Sequence, residues 1–372
     1  MRVAYHSDSF AKKARFGLAR YSHSLRDELV EQGIETIPFS TQSDFGDAPP
    51  DWLRSAGFRH LKMPRKLLAP AWTLLGLPRV EWMLTSFDVL HSIDVDYRAP
   101  TAKPWVVTVH DLGPLTHPDF FSSAVPWLLR AYVRQMAARA DRILCVSQST
   151  ADEVASLAGV PLGDRLVVVE EGVEARFFDA PPIEDLHASE AIIAAGTPFL
   201  LFTGSMNPRK NVRRVLQAYL RISPKIAQDL VLVGALGWDS EELSAELDAA
   251  RLTGRVHAPG YVSDEMLRAL LWRADAYLYP SLYEGFGLPI LEAMASGCPV
   301  ITATNSSMPE VAGDAAILVD AVDVEAISDA ILKVTENREF AANLRASGLA
   351  RARQFSWRET AERTAKIYHE LG

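Results

Sequence analysis

The chain has 372 residues, 48% hydrophobic and 23% charged, an ordinary globular profile long enough for two domains and too apolar for intrinsic disorder. Its formal charge of −9 weighs against a general nucleic-acid binder, which is usually basic. Cys145 and Cys298 lie in separate halves without a CxxC pair, which excludes a disulfide framework or cysteine-based zinc site and favours a reducing cytoplasmic compartment.

The opening MRVAYHSDSF runs straight into a short strand, VAYH (3–6), with no signal-peptide core. Leu18, Tyr21, Leu25 and Leu29 then recur at helical spacing. TIPF (36–39), DVLHS (88–92), WVVTVHD (105–111), RILCVS (142–147) and LVVVEEG (166–172) read as further strands, with helices near 124–140 and 149–158. LLAPAWTLLGLP (67–78) is the longest apolar run; its prolines and its shortness exclude a membrane span. Arg59, His60, Lys62, Arg65 and Lys66 precede it, so the segment fits either a partly buried helix with a basic collar or peripheral docking on an anionic membrane.

Residues 175–197 break the rhythm with a Pro-Pro pair and read as a linker. The alternation restarts with FLLFTG (199–204) and a helical stripe of Val212, Val215, Leu216, Tyr219 and Leu220. LVLVG (230–234), RVHAPGYV (255–262), DAYLYPS (275–281), PVITAT (299–304) and AAILVD (315–320) are the later strands, and 323–371 is nearly all helical. Such alternation predicts an α/β fold: parallel sheets covered on both faces. The expected organisation is a domain at 1–178, a linker at 179–197, a second domain at 198–354 and a terminal helix at 355–372.

Ligands of such sheets bind beyond the carboxyl ends of the strands. In SLYEGFGLPILEAMASGCPVITA (281–303), Glu284 leaves a strand and Glu292, seven residues beyond it, falls near the start of a helix opened by Pro289. Gly285 and Gly287 leave room for close backbone approach, and the helix N-terminus favours an anion such as a diphosphate. Carboxylates beside it suit a hydroxyl-rich ligand. The bland alternative is a glycine turn with a capping Glu. Gly204-Ser-Met-Asn-Pro-Arg209-Lys210-Asn211 places two cations after a strand, where a helix dipole disfavours them unless an anion is near.

E-G-F-G-L-P-x-L-E-A-M-A-x-G-x-P-V resembles the Glu-x7-Glu motif of glycosyltransferase family 4. TVHDLGPLTHPDFF (108–121), RADRILCVSQSTADEV (139–154), VVVEEGVEARF (168–177), FTGSMNPRKNV (202–212) and FSWRETAERTAKIY (355–369) resemble other segments of that family, so the likeness covers nearly the whole chain. It implies a retaining enzyme of GT-B fold: two Rossmann-like doubly wound domains facing a central cleft, with the terminal helix crossing back to the N-terminal domain.

The resemblance implies residue roles. Glu292 would bind the donor ribose and Glu284 would lie beside the transferring sugar. Phe286, Gly287 and Leu288 would offer backbone amides to sugar or diphosphate. Arg209 and Lys210 would hold the diphosphate and do the work of a metal ion, with no metal or cofactor expected. Ser205 stands after Gly204 where many members carry Arg, so Arg209 is the expected substitute. His110 would contact the donor sugar, and Gly17 would let the backbone approach the diphosphate. Asp111 is expected to support its loop, and Arg20 and Tyr21 to tie their helix to its neighbours. Ser147 and Gly172 read equally as cleft-lining or as cap and turn; His6, His91, Asp94 and Asp96 remain open between acceptor pocket and ordinary loop.

The P-R-K-N loop resembles the mannosyltransferase-like branch, which favours GDP-mannose over a UDP-sugar as donor. The expected acceptor is a saccharide or lipid-linked saccharide, with the protein cytoplasmic or peripheral on the inner face of the plasma membrane. The rival readings are a UDP-glucose-type transferase, a sugar-nucleotide epimerase and a non-catalytic sugar-nucleotide-binding scaffold. A nicotinamide dehydrogenase is disfavoured, because Gly-Phe-Gly lacks the third glycine of a dinucleotide fingerprint.

Overall fold

Runs such as WVVTV and VITA are buried at every position rather than at alternate ones, the pattern of a strand covered on both faces. The computed structural model describes residues 1–11, 17–40, 59–60, 65–84, 86–94, 97–121, 126–237 and 241–372. It divides into two units, Met1–Gly172 with Ser356–Gly372, and Val173–Phe355.

The first unit opens with β1 (Arg2–His6), α1 (Leu18–Glu31), β2 (Glu35–Ser40), β3 (Arg59–His60), α2 (Arg65–Leu75) and β4 (Val89–Ser92). It continues through β5 (Trp105–Val109), α3 (Gly113–Thr116), α4 (Pro126–Arg139), β6 (Arg142–Cys145), α5 (Gln148–Ala158) and β7 (Leu166–Val168). Its sheet runs β3-β2-β1-β4-β5-β6-β7, all parallel.

The second unit contains α6 (Ile183–Ser189), β8 (Phe199–Thr203), α7 (Val212–Ile222), β9 (Asp229–Val233), α8 (Glu241–Arg251), β10 (Val256–Gly260) and α9 (Asp264–Arg273). Then come β11 (Ala276–Tyr279), α10 (Leu288–Ala295), β12 (Val300–Ala303), α11 (Met308–Ala312), β13 (Ile317–Val319), α12 (Val324–Glu336) and α13 (Arg338–Ala352). Its sheet runs β10-β9-β8-β11-β12-β13, again parallel. In both sheets the strand order reverses beside the unit's first strand, at β1/β4 and at β8/β11. A doubly wound sheet opens its ligand crevice at the carboxyl ends there.

The expected linker at 179–197 is a packed part of the second unit. Pro182 starts α6, whose first turn carries Glu184 and Asp185 on the favourable end of the helix dipole. Ile193 is buried, and Arg273 of α9 donates to Ser189 Oγ at 2.5 Å and to the Ile193 carbonyl at 2.9 Å. The first boundary lies at 172/173 rather than 178, because Val173 N–H binds the Phe355 carbonyl at 3.2 Å and Arg176 pairs with Asp264 at 2.7 Å. The Pro-Pro pair marks a helix start here, not a spacer.

The terminal helix α14 (Trp357–Leu371) belongs to the first unit, as the resemblance implies. Tyr368 hydrogen bonds buried His91, Thr360 Oγ1 donates to the Glu170 carbonyl at 2.8 Å, and Trp357 packs its ring edge against Tyr21. Gly172 admits this helix: a Cβ there would lie 2.1 Å from the Trp357 backbone nitrogen. Gly172→Ala is therefore expected to cost about 2–3 kcal/mol, as overpacking against backbone does, read as a lower denaturant midpoint; an unchanged midpoint would mean the helix does not press on this residue.

Candidate active site

Two loops at the β8/β11 reversal build the site. Gly204 leaves β8 with φ 141°, a conformation that favours glycine. Asn207 caps a short turn, accepting the Lys210 N–H at 3.2 Å. Asn211, at φ 60°, then opens α7 and donates its side-chain amide to the carbonyls of Pro280 (2.9 Å) and Ala321 (2.6 Å). The Leu282 N–H binds the Arg209 carbonyl at 2.8 Å, so the loops after β8 and β11 are laced together through backbone.

Glu284 is at the centre. Arg209 Nη1 reaches its Oε2 at 2.5 Å and the Tyr283 carbonyl at 2.8 Å; Lys210 Nζ reaches Oε1 at 2.7 Å. The Lys210 ammonium also donates to the Tyr279 hydroxyl and lies 4.5 Å from the centre of that ring. Burial opposes ionisation of Glu284, but Arg209 and Lys210 outweigh it and hold the carboxyl at about 2, so it is a carboxylate at neutral pH. The Glu284 N–H donates to Ser306 Oγ at 3.0 Å, and Ser307 Oγ donates to the carbonyls of Glu284 and Phe286.

Gly287, at φ 112°, precedes α10. A glycine has no side chain with which to cap, Pro289 brings no N–H, and the Ile290 N–H binds the Gly287 carbonyl at 2.9 Å. Glu292 is buried in α10; burial above all, and then the charges of Glu292 and Glu284, push the Tyr277 hydroxyl well above the usual phenol range, so it stays protonated. Tyr277 hydrogen bonds Thr203 at 2.6 Å. The second unit thus brings together Gly204, Arg209, Lys210, Glu284, Gly285, Phe286, Gly287, Leu288 and Glu292. Ser205 is exposed beside them, while the Phe286 and Leu288 side chains are buried in the core.

His110 and Gly17 belong to the first unit. His110 follows β5, with Nδ1 3.3 Å from Glu171 Oε1 and Nε2 3.1 Å from the Ile93 carbonyl. Gly17 precedes α1 at φ 50°; residues 12–16 beside it lie outside the described residues. Asp111 supports its loop by accepting the Gly113 N–H, and Ser147 caps α5. His91 is pushed down to about 3 by burial, with His110 adding, and is a neutral structural residue between Tyr368 and Thr108. Asp94 accepts from Ser7, Asp8 and Ser9, and Asp96 lies outside the described residues.

The family profile for Glycosyl transferases group 1 matches residues 184–351, and that for Glycosyltransferase Family 4 matches residues 17–177. The O-antigen chain mannosyltransferase B of Escherichia coli is 33% identical over 367 residues, covering 95% of this chain and 96% of its own. The chain belongs to glycosyltransferase family 4. This glycosyltransferase is also 30% identical, over 76% of its length and 71% of the relative's, to the MMP alpha-(1->4)-mannosyltransferase of Mycolicibacterium hassiacum. Its GT-B fold matches a sucrose-phosphate synthase from Thermosynechococcus elongatus (TM-score 0.80, 20% identity, 100% and 99% coverage). Anabaena HepE in complex with UDP-glucose matches as well (TM-score 0.79, 18% identity, 100% coverage of both).

Sequence reading of the glycosyltransferase missed Tyr279, Tyr277, Asn211, Ser306 and Ser307. The Tyr-x-Tyr spacing on one strand was the available signal, since alternate residues share a face. Removing the central charge should expose the cations' cost. Glu284→Gln is expected to destabilise the enzyme by about 3 kcal/mol at pH 7, as orphaned members of a buried pair do. Because the folded carboxyl lies below its unfolded value, the wild type's advantage is full above about pH 5 and shrinks as pH falls toward 2. Denaturant titrations of both proteins across this range check it; a pH-independent difference would remove the assigned ion pair.

Proposed function

We propose that this glycosyltransferase moves mannose from GDP-mannose to a saccharide or lipid-linked saccharide acceptor in polysaccharide synthesis. The observation that carries the diphosphate part is the Arg209–Glu284–Lys210 cluster, whose carboxylate sits on the loop that leads into the N-terminus of α10. Two cations against one carboxylate leave a net positive charge where strand order reverses. A diphosphate answers that charge and the helix amides together, and the same groups stabilise it as a leaving group without a metal ion. Glu292 takes the ribose hydroxyls, Glu284 and the Phe286–Leu288 backbone take the sugar and diphosphate, and Gly17 takes the diphosphate. His110 is the residue of the first unit assigned to the donor sugar. The P-R-K-N loop and the similarity to mannosyltransferases of Escherichia coli and Mycolicibacterium hassiacum support mannose. The UDP-glucose held by HepE supports the second reading, a UDP-sugar donor.

Melting the protein with GDP, UDP, ADP or dTDP, each with and without magnesium, tests this reading. A ligand at a hundredfold excess over its dissociation constant stabilises the native state by about 2.7 kcal/mol. The expected result is a rise with GDP alone that does not need magnesium. A rise confined to UDP would replace the donor, and no rise with any of the four would remove the nucleotide site.

The same reading places the enzyme against the inner face of an anionic membrane through 59–78. Within α2, Leu68 and Trp72 are buried while Leu67 is 65% and Leu75 73% exposed; Leu77 and Trp82 beyond it are also exposed. The side chains of Arg59, His60, Lys62, Arg65 and Lys66 lie outside the described residues, and no described helix is long and apolar enough to cross a membrane. Vesicles containing phosphatidylserine are expected to bind the wild type and to lose most of an Arg65→Gln, Lys66→Gln double variant; equal binding of both would sink the docking surface.

A further inference from the structure

His110 is partly buried and contacted at both ring nitrogens by its own unit. Its Nδ1 faces the Glu171 carboxylate and its Nε2 the Ile93 carbonyl, both of which only accept hydrogen bonds. The Tyr21 ring meets the imidazole edge-on, 4.5 Å between centres at 89°, and Thr150 Oγ1 donates to the His110 carbonyl at 3.4 Å. Glu171 is 7% exposed. A carboxylate so enclosed needs a donor, and the imidazole N–H is one.

Glu171 does not follow a neighbouring strand: β6 separates β7 from β5 in the sheet. Its backbone is carried to His110 by anchors on either side. Thr360 of α14 binds the Glu170 carbonyl, and Gly172 lies under the Trp357 backbone. The terminal helix therefore fixes the loop that fixes Glu171. The other ionisable groups around the ring are occupied elsewhere. His91 is engaged by Tyr368 and Thr108, Asp94 by Ser7, Asp8 and Ser9, and Tyr21 by Thr108 at 3.4 Å.

We propose that Glu171 is the positioning residue for His110, keeping a proton on Nδ1 and setting the ring plane. The inference rests on the reading that His110 serves the donor sugar. A carboxylate behind a histidine sets which nitrogen carries the proton and which way the ring faces. With Nδ1 committed to Glu171, the Ile93 carbonyl contact at Nε2 is the one a sugar hydroxyl can replace.

The test compares Glu171→Gln, Glu171→Asp and His110→Asn in the full chain. One readout is nucleoside diphosphate release from GDP-mannose or UDP-glucose, whichever carries the nucleotide that raises the melting temperature. The other is the ring-nitrogen spectrum of protein labelled with 15N-histidine, in which His110→Asn identifies the His110 signals. Glu171→Gln is expected to lower kcat about tenfold or more, to leave the donor KM within about twofold and to move the His110 Nδ1 signal. Glu171→Asp, which restores the charge, should recover part of kcat and return the signal toward its native position, and it serves also if the Gln variant does not fold. Wild-type turnover in Glu171→Gln, or an unmoved Nδ1 signal, overturns the positioning role. If His110→Asn is slow while Glu171→Gln is not, the reading of His110 survives and this inference alone falls. Wild-type turnover in His110→Asn overturns both.

Discussion

The second unit's site depends on one buried carboxylate held between two cations. Glu284 sits on the loop after β11, and Arg209 and Lys210 sit on the loop after β8. Neither loop contains regular structure long enough to hold itself. The ion pairs, the Asn211 amide and the Leu282–Arg209 backbone bond tie each loop to the other. The arrangement also explains how cations persist at the start of a helix that disfavours them: the nearby carboxylate offsets the dipole. The Tyr279 ring and hydroxyl complete the seat of the Lys210 ammonium.

Strand identity was legible because buried parallel strands leave dense β-branched and apolar runs. RILC, DLVLV and VITA needed no distant information to be read. The linker was misread because Pro-Pro has two physical meanings. It breaks a helix in progress, and it starts one at a site with no N–H to satisfy. What decides between them is whether the following residues find a partner. That partner, Arg273, lies about eighty residues further along and has no local signature.

The site was half legible for a similar reason. Local spacing singled out the glycines, the two glutamates and the adjacent cations, which the fold does bring to one end of the second sheet. It could not show that Glu284 holds Arg209 and Lys210, because they lie 75 and 74 positions away from it. The supporting residues are ordinary in type and gain their role only from place. Ser307 is one more serine until its hydroxyl answers two loop carbonyls, and Glu171 is one of two adjacent glutamates until its neighbour's carbonyl is bound from the terminal helix.

The two carboxylates that matter most are handled in opposite ways, and the difference follows from their surroundings. Glu284 faces two permanent cations and is locked as an anion, so it contributes fixed charge and cannot exchange protons near neutral pH. Glu171 faces an imidazole, a partner that offers an N–H along a fixed direction rather than a permanent charge. A fixed charge suits the seating of two cations, where any loss of charge would loosen the seat. A directional bond suits the task of holding a ring in one plane. The cationic cluster and the histidine pair therefore differ as a charge lock differs from a directional bond, each within its own unit and each anchored by contacts distant in sequence.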